Sequence, residues 1–165
     1  LKRKAIVHGH CHQNAIMKME KENTLLKKMK MDYQVLDSGC CGMAGYFGYE
    51  KGDHYDVSVK AGERVLLPAV RDAGKDTLII ADGFSCREQI EQLTNRKGMH
   101  LAQVLQMALR EKNNNLKNNS EYPEKEYVDN MKLKTPAIRK KRVAGVIVFT
   151  VLIAGAILIS NKLKK

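Results

Sequence analysis

"DTLIIADGFSCREQIEQL", residues Asp76–Leu93, passes from an unbroken apolar run to a run of helix formers within a few positions. "DTLIIAD" (Asp76–Asp82) reads as the clearest strand of the chain. Asp82 and Gly83 punctuate it, and Ser85–Leu93 reads as a helix. A single cysteine, Cys86, stands just past the strand. The same succession occurs twice upstream. Lys4–Gly9 ("KAIVHG") reads as a strand, Cys11 follows, and residues 13–31 have helical character, with Ile16, Met19, Leu26 and Met29 as apolar positions. Tyr33–Ser38 ("YQVLDS") reads as a second strand, with Cys40 and Cys41 after it. His54–Leu67 is then a helix, with Val57, Ala61 and Val65 in helical spacing, ended or kinked by Pro68. Met99–Lys112 makes a last helix beyond Gly98. This βαβαβα order predicts an α/β fold: a small parallel sheet of Rossmann-like βα units with helices on both faces.

That fold has a consequence for the cysteines. Crossovers between parallel strands are right-handed and the strands run the same way, so all three strand ends meet at one edge. Open α/β sheets bind ligands there. Cys11, Cys40, Cys41 and Cys86 are therefore expected to converge. The doublet in "DSGCCGMAGYFG" (Asp37–Gly48) is ill suited to a disulfide, because adjacent Cα atoms lie about 3.8 Å apart and disulfides usually span roughly 4.4–6.8 Å. The surrounding glycines allow close backbone approach to a bulky ligand. Helix N-termini near the cysteines favour thiolates. Structural zinc usually takes CxxC-like pairs, which are missing here; four thiolates suit a [4Fe–4S] cluster. Iron–sulfur, zinc and unligated thiols all remain open on spacing alone, with iron–sulfur preferred.

Charge and composition narrow the function. The net charge is +11, but residues 1–110 hold 17 Lys and Arg against 13 Asp and Glu, and residues 111–165 hold 12 against 5. Basicity belongs to the tail, and the chain has no tryptophan. Nucleic-acid binding by the domain is not expected. Residues 111–142, rich in asparagine and charge, read as a polar linker. Residues 143–160, "VAGVIVFTVLIAGAILIS", carry no charge and lie between Arg139–Arg142 and a basic tail over 161–165. They predict a transmembrane helix, and the positive-inside rule then puts the domain on the cytoplasmic side of a single-pass membrane protein. No secretory signal is seen near Leu1, and the start suggests a fragment or processed chain.

"HCHQNA" (His10–Ala15), "DSGCCGMAG" (Asp37–Gly45) and "DGFSCREQI" (Asp82–Ile90) resemble, in this order, the cysteine-rich CCG domain. That domain occurs in heterodisulfide reductase catalytic subunits and in iron–sulfur subunits of glycolate, lactate and anaerobic glycerol-3-phosphate dehydrogenases. The resemblance covers roughly residues 3–110. The wording around Cys86, with "HLAQVLQMAL" after it, looks most like the form fused behind a flavin-linked oxidase module. It implies Cys11, Cys40, Cys41 and Cys86 as ligands of an iron–sulfur cluster. It also implies FAD on an absent domain or partner, since GxGxxG is missing here, and electron flow toward a quinone-like acceptor at the membrane lipid. Where the family pattern has the first cysteine of a CxxC pair, this chain has Gly83. That departure weighs against the disulfide-cleaving noncubane cluster and leaves His10 or His12 as candidate substitute ligands. His8 reads as a packed strand residue. Arg87 reads either as a partner for negative charge or as an exposed helix residue. The expected function is electron transfer within a flavin-linked 2-hydroxy-acid dehydrogenase. The alternatives are a heterodisulfide reductase-like thiol–disulfide oxidoreductase and a membrane-tethered zinc scaffold.

Overall fold

A computed structural model describes residues 1–114, 121–125 and 127. Three parallel strands, β1 (Lys4–His8), β2 (Asp32–Leu36) and β3 (Leu78–Ala81), pair in the order β2–β1–β3. The register sets His8 beside Leu36 on one side and Ala81 on the other. All four β3 residues are buried, as expected of an unbroken apolar run.

The strand alternation sorts two cores. Ala5, Val7, Leu78 and Ile80 face one layer, with Leu26 of helix α2 (Glu20–Lys28) and Val104 and Met107 of helix α6 (Leu101–Asn114). Ile6, Leu36, Ile79 and Ala81 face the other. There they meet Leu66 and Val70 of helix α4 (Leu66–Asp72) and Cys86 and Ile90 of helix α5 (Phe84–Leu93). Helices thus cover both faces of the sheet, as the βα alternation predicts.

Two expected helices are broken in two. Residues 13–31 divide into α1 (Cys11–Ile16) and α2, separated at Lys18, whose φ of 59° no helix accommodates. The stretch 54–67 divides between helix α3 (Asp53–Glu63) and α4, at Val65 with φ −147°. Pro68 is not the break. It sits in the first turn of α4, where its missing N–H would have had no intrahelical partner. Met99 leaves the last helix: its N–H donates to Ile79 O at 2.8 Å, and its carbonyl accepts from Ala81 at 2.9 Å.

The compact unit containing the described residues runs from Leu1 to Tyr127, past residue 110. Glu124, 0% exposed, accepts from Arg96 Nε at 2.6 Å, and Arg96 is itself 2% exposed. Arg96 also donates to the carbonyls of Ala73 and Gly74 at 3.2 Å and to that of Thr77. The Tyr122 ring lies 5.1 Å from the guanidinium carbon, and Tyr127 joins the core under α6. The polar composition of this segment is offset by a buried ion pair.

The expectation of a single-pass membrane protein is corrected. No helix among the described residues is long and apolar enough to cross a membrane. The longest of them, α6, has 14 residues, about 21 Å of rise against a hydrocarbon core of about 30 Å. Residues 143–160, where the transmembrane helix was expected, lie outside the described residues. The membrane anchor, its lipid contact and the cytoplasmic-side placement lose their support with that helix.

Candidate metal centre

The chain leaves β1 toward the α2 face and leaves β3 toward the α5 face. The adjacent strands β1 and β3 therefore part at their carboxyl ends, and this opens the crevice in which doubly wound sheets take ligands. Cys11 opens α1 just beyond β1 and is exposed. Cys40 and Cys41 lie in the loop after β2, the first exposed and the second 3% exposed. Cys86, 1% exposed, lies in the first turn of α5.

The loop carrying the doublet is held against α3. Gly42 has φ +96°, and a Cβ there would stand 2.1 Å from the Ser58 carbonyl oxygen, so only glycine fits. Gln89, on α5, donates from Nε2 to the same Ser58 oxygen at 3.1 Å. This joins α3 to the helix that carries Cys86. The Gly42 N–H donates to Cys40 Sγ at 3.3 Å.

The sulfurs of Cys41 and Cys86 lie within 4.8 Å of each other, whereas Cys11 and Cys40, both exposed, stand outside that close group. The hydrogen bond with Cys86 brings the Cys41 thiol down to about 4 against the opposing effect of burial, with help from His8 and the Met43 N–H. The same bond, reinforced by burial, holds Cys86 protonated well above the ordinary thiol range. Burial pushes Cys40 up, partly countered by the Gly42 N–H.

His8 completes the group. Its ligating nitrogen and the sulfurs of Cys41 and Cys86 all lie within 4.8 Å of one another, and all three residues are buried. His8 Nδ1 is 2.6 Å from Ser38 Oγ, while Nε2 is buried with no nitrogen or oxygen partner. A soft donor set of thiolates with imidazole suits zinc or iron–sulfur and is wrong for magnesium or calcium. A buried imidazole nitrogen without a nitrogen or oxygen partner, facing two buried sulfurs, is what such a site presents.

The other candidates divide. His12 is exposed. The His10 ring stands where a side chain at Gly83 would begin: a Cβ there would lie 2.4 Å from His10 Cδ2 and 2.8 Å from Cys86 Sγ. Arg87 is turned to the end of β3, with Nη1 donating to the carbonyls of Ala81 at 3.1 Å and Asp82 at 2.6 Å. Asp82 Oδ1 accepts from the Leu101 N–H at 2.7 Å and so caps α6. His8 is the site residue that sequence reasoning passed over. The available signal was its parity with Ile6, which puts it on the face that Cys41 and Cys86 cover.

Relatives that match this region include two dehydrogenase proteins. The first is a component of the anaerobic glycerol-3-phosphate dehydrogenase of Escherichia coli K12. The chain is 32% identical to it over 107 residues, covering 64% of this chain and 26% of the relative. The second is D-2-hydroxyglutarate dehydrogenase of Pseudomonas putida, 38% identical over 74 residues, covering 44% of this chain and 7% of that relative. The chain thus spans about a quarter of the length of the glycerol-3-phosphate relative. Both similarities agree with the resemblance carried by the three cysteine motifs. No family model matches the chain, and no solved structure matches it.

Proposed function

We propose that the unit ending at Tyr127 is the iron–sulfur, electron-transfer part of a flavin-linked dehydrogenase that oxidises a hydroxy acid or a related polyol phosphate. The carrying observation is the buried group of Cys41 and Cys86 with His8, whose ligand atoms lie within 4.8 Å of one another; Cys40 precedes Cys41 in the same loop and Cys11 opens α1 just beyond β1. The similarity to two dehydrogenases supports the reaction class. A bound [4Fe–4S] cluster would supply one-electron redox chemistry.

In this reading the four cysteines are the thiolate ligands. The N–H groups of Gly42 and Met43 offset negative charge on Cys40 and Cys41, and burial of Cys41 and Cys86 keeps water from the inner side. Donor hydrogen bonds and burial are the means by which a protein tunes such a centre. The flavin and the substrate pocket belong to a partner domain or subunit. Electrons leave the centre one at a time for a partner acceptor.

Thiol–disulfide exchange is disfavoured, because the low-pKa sulfur, Cys41, is buried away from a substrate disulfide. Iron and acid-labile sulfide analysis of anaerobically purified protein tests the proposal. About four irons with matching sulfide support it; a colourless protein with stoichiometric zinc contradicts it.

A further inference from the structure

We infer that His8 is a direct ligand of this centre through Nε2, beside Cys41 and Cys86, with Ser38 as the residue that sets its ring. The inference rests on the iron–sulfur reading above and alters its ligand set: His8 takes the iron position of one of the two exposed thiolates, Cys11 or Cys40, so the cluster keeps four protein ligands.

Four observations converge on His8. It is the last residue of β1, on the same side as Ile6, so its side chain enters the layer that holds Cys41 and Cys86. It is 2% exposed, a depth at which an imidazole without partners is costly. Its Nδ1 is engaged by the buried Ser38 hydroxyl at 2.6 Å. Its Nε2 meets no protein nitrogen or oxygen at hydrogen-bond distance, and the ring's neighbours on this side are the two buried sulfurs, within 4.8 Å.

The chemistry follows from the two ring nitrogens. When Nδ1–H donates to Ser38, Nε2 is left with its lone pair, the tautomer that ligates metals. Ligating histidines are commonly fixed in this way through their other nitrogen. Ser38 stands two residues before the Cys40–Cys41 doublet, so the loop that brings the thiolates also orients the imidazole. His12 is exposed, and His10 packs over Gly83. Neither shows a buried, unpartnered nitrogen. A neutral imidazole in place of a thiolate removes one negative charge from the ligand set and raises the reduction potential, as histidine ligation does at Rieske centres.

The test uses the full chain labelled with ¹⁵N-histidine, purified anaerobically, reconstituted with iron and sulfide and reduced. Pulsed electron paramagnetic resonance is expected to show a directly coordinated nitrogen. That coupling should persist in His10→Ala and His12→Ala. It should vanish in His8→Cys, which keeps its iron and shifts to a lower potential because a thiolate replaces the imidazole. A wild-type centre with full iron and sulfide but no coordinated nitrogen overturns the inference and leaves the iron–sulfur reading standing. So does coupling that survives in His8→Cys. Wild-type protein that takes up no iron overturns both. If His8→Cys misfolds, the other two variants still decide: loss of the nitrogen coupling in His10→Ala or in His12→Ala overturns the inference.

Discussion

The buried sulfurs of Cys41 and Cys86 lie within 4.8 Å of each other, and this meeting joins the first turn of α5 to the loop after β2. The two cysteines are far apart in the chain and belong to different βα units, yet both are buried at one edge of the sheet. Removing either sulfur should therefore damage the centre more than removing an exposed one. Cys41→Ser and Cys86→Ser are expected to retain little iron. Cys11→Ser should lose part of it while the metal-free fold stays as stable as the wild type. Iron per chain, with thermal melts of the metal-free proteins, checks this.

Gly42 and Gly45 both have positive φ, but they differ in what surrounds them. A Cβ at Gly42 meets the Ser58 carbonyl oxygen at 2.1 Å, whereas one at Gly45 meets nothing within 4 Å. Gly45→Ala should cost only the left-handed backbone penalty, about 1–2 kcal/mol. Gly42→Ala adds an overpacking cost of about 1–3 kcal/mol and moves the doublet. Urea unfolding ranks the two, and iron uptake should fall only in Gly42→Ala.

Arg96 and Glu124 form a buried ion pair at 2.6 Å. Glu124→Ala leaves a guanidinium in the interior without its carboxylate, which typically costs about 3–5 kcal/mol. The Arg71–Glu63 pair is exposed and bidentate, and Glu63→Ala should change stability little. Equilibrium denaturation of the two variants side by side measures the contrast. Equal losses would contradict the structural role given to residues 121–127.

Metal bound only by the folded state adds to stability by mass action. Removing it with a chelator and an oxidant under anaerobic conditions should lower the melting temperature, by on the order of 5 °C for each kcal/mol lost. The fall should be absent in Cys41→Ser, which holds no centre to remove. Differential scanning fluorimetry follows both.

Much of this architecture was legible because its signals are local. The apolar run Leu78–Ala81 is a strand in sequence and in structure, and a parallel sheet then requires the strand ends to share an edge. What sequence reasoning missed depends on distant partners. His8 looks like any packed strand residue until Ser38 and the two buried sulfurs stand around it. Residues 121–127 read as linker because they are polar, and nothing nearby shows that Glu124 meets Arg96. The helix breaks at Lys18 and Val65 arise from backbone dihedrals that the residues' propensities do not announce.

The most direct test of the central claim is the electron paramagnetic resonance spectrum of anaerobic, dithionite-reduced protein, read with its iron and sulfide content. The account predicts a paramagnetic iron–sulfur signal that is lost in Cys41→Ser. A silent spectrum from folded wild-type protein, with zinc in place of iron, would contradict it.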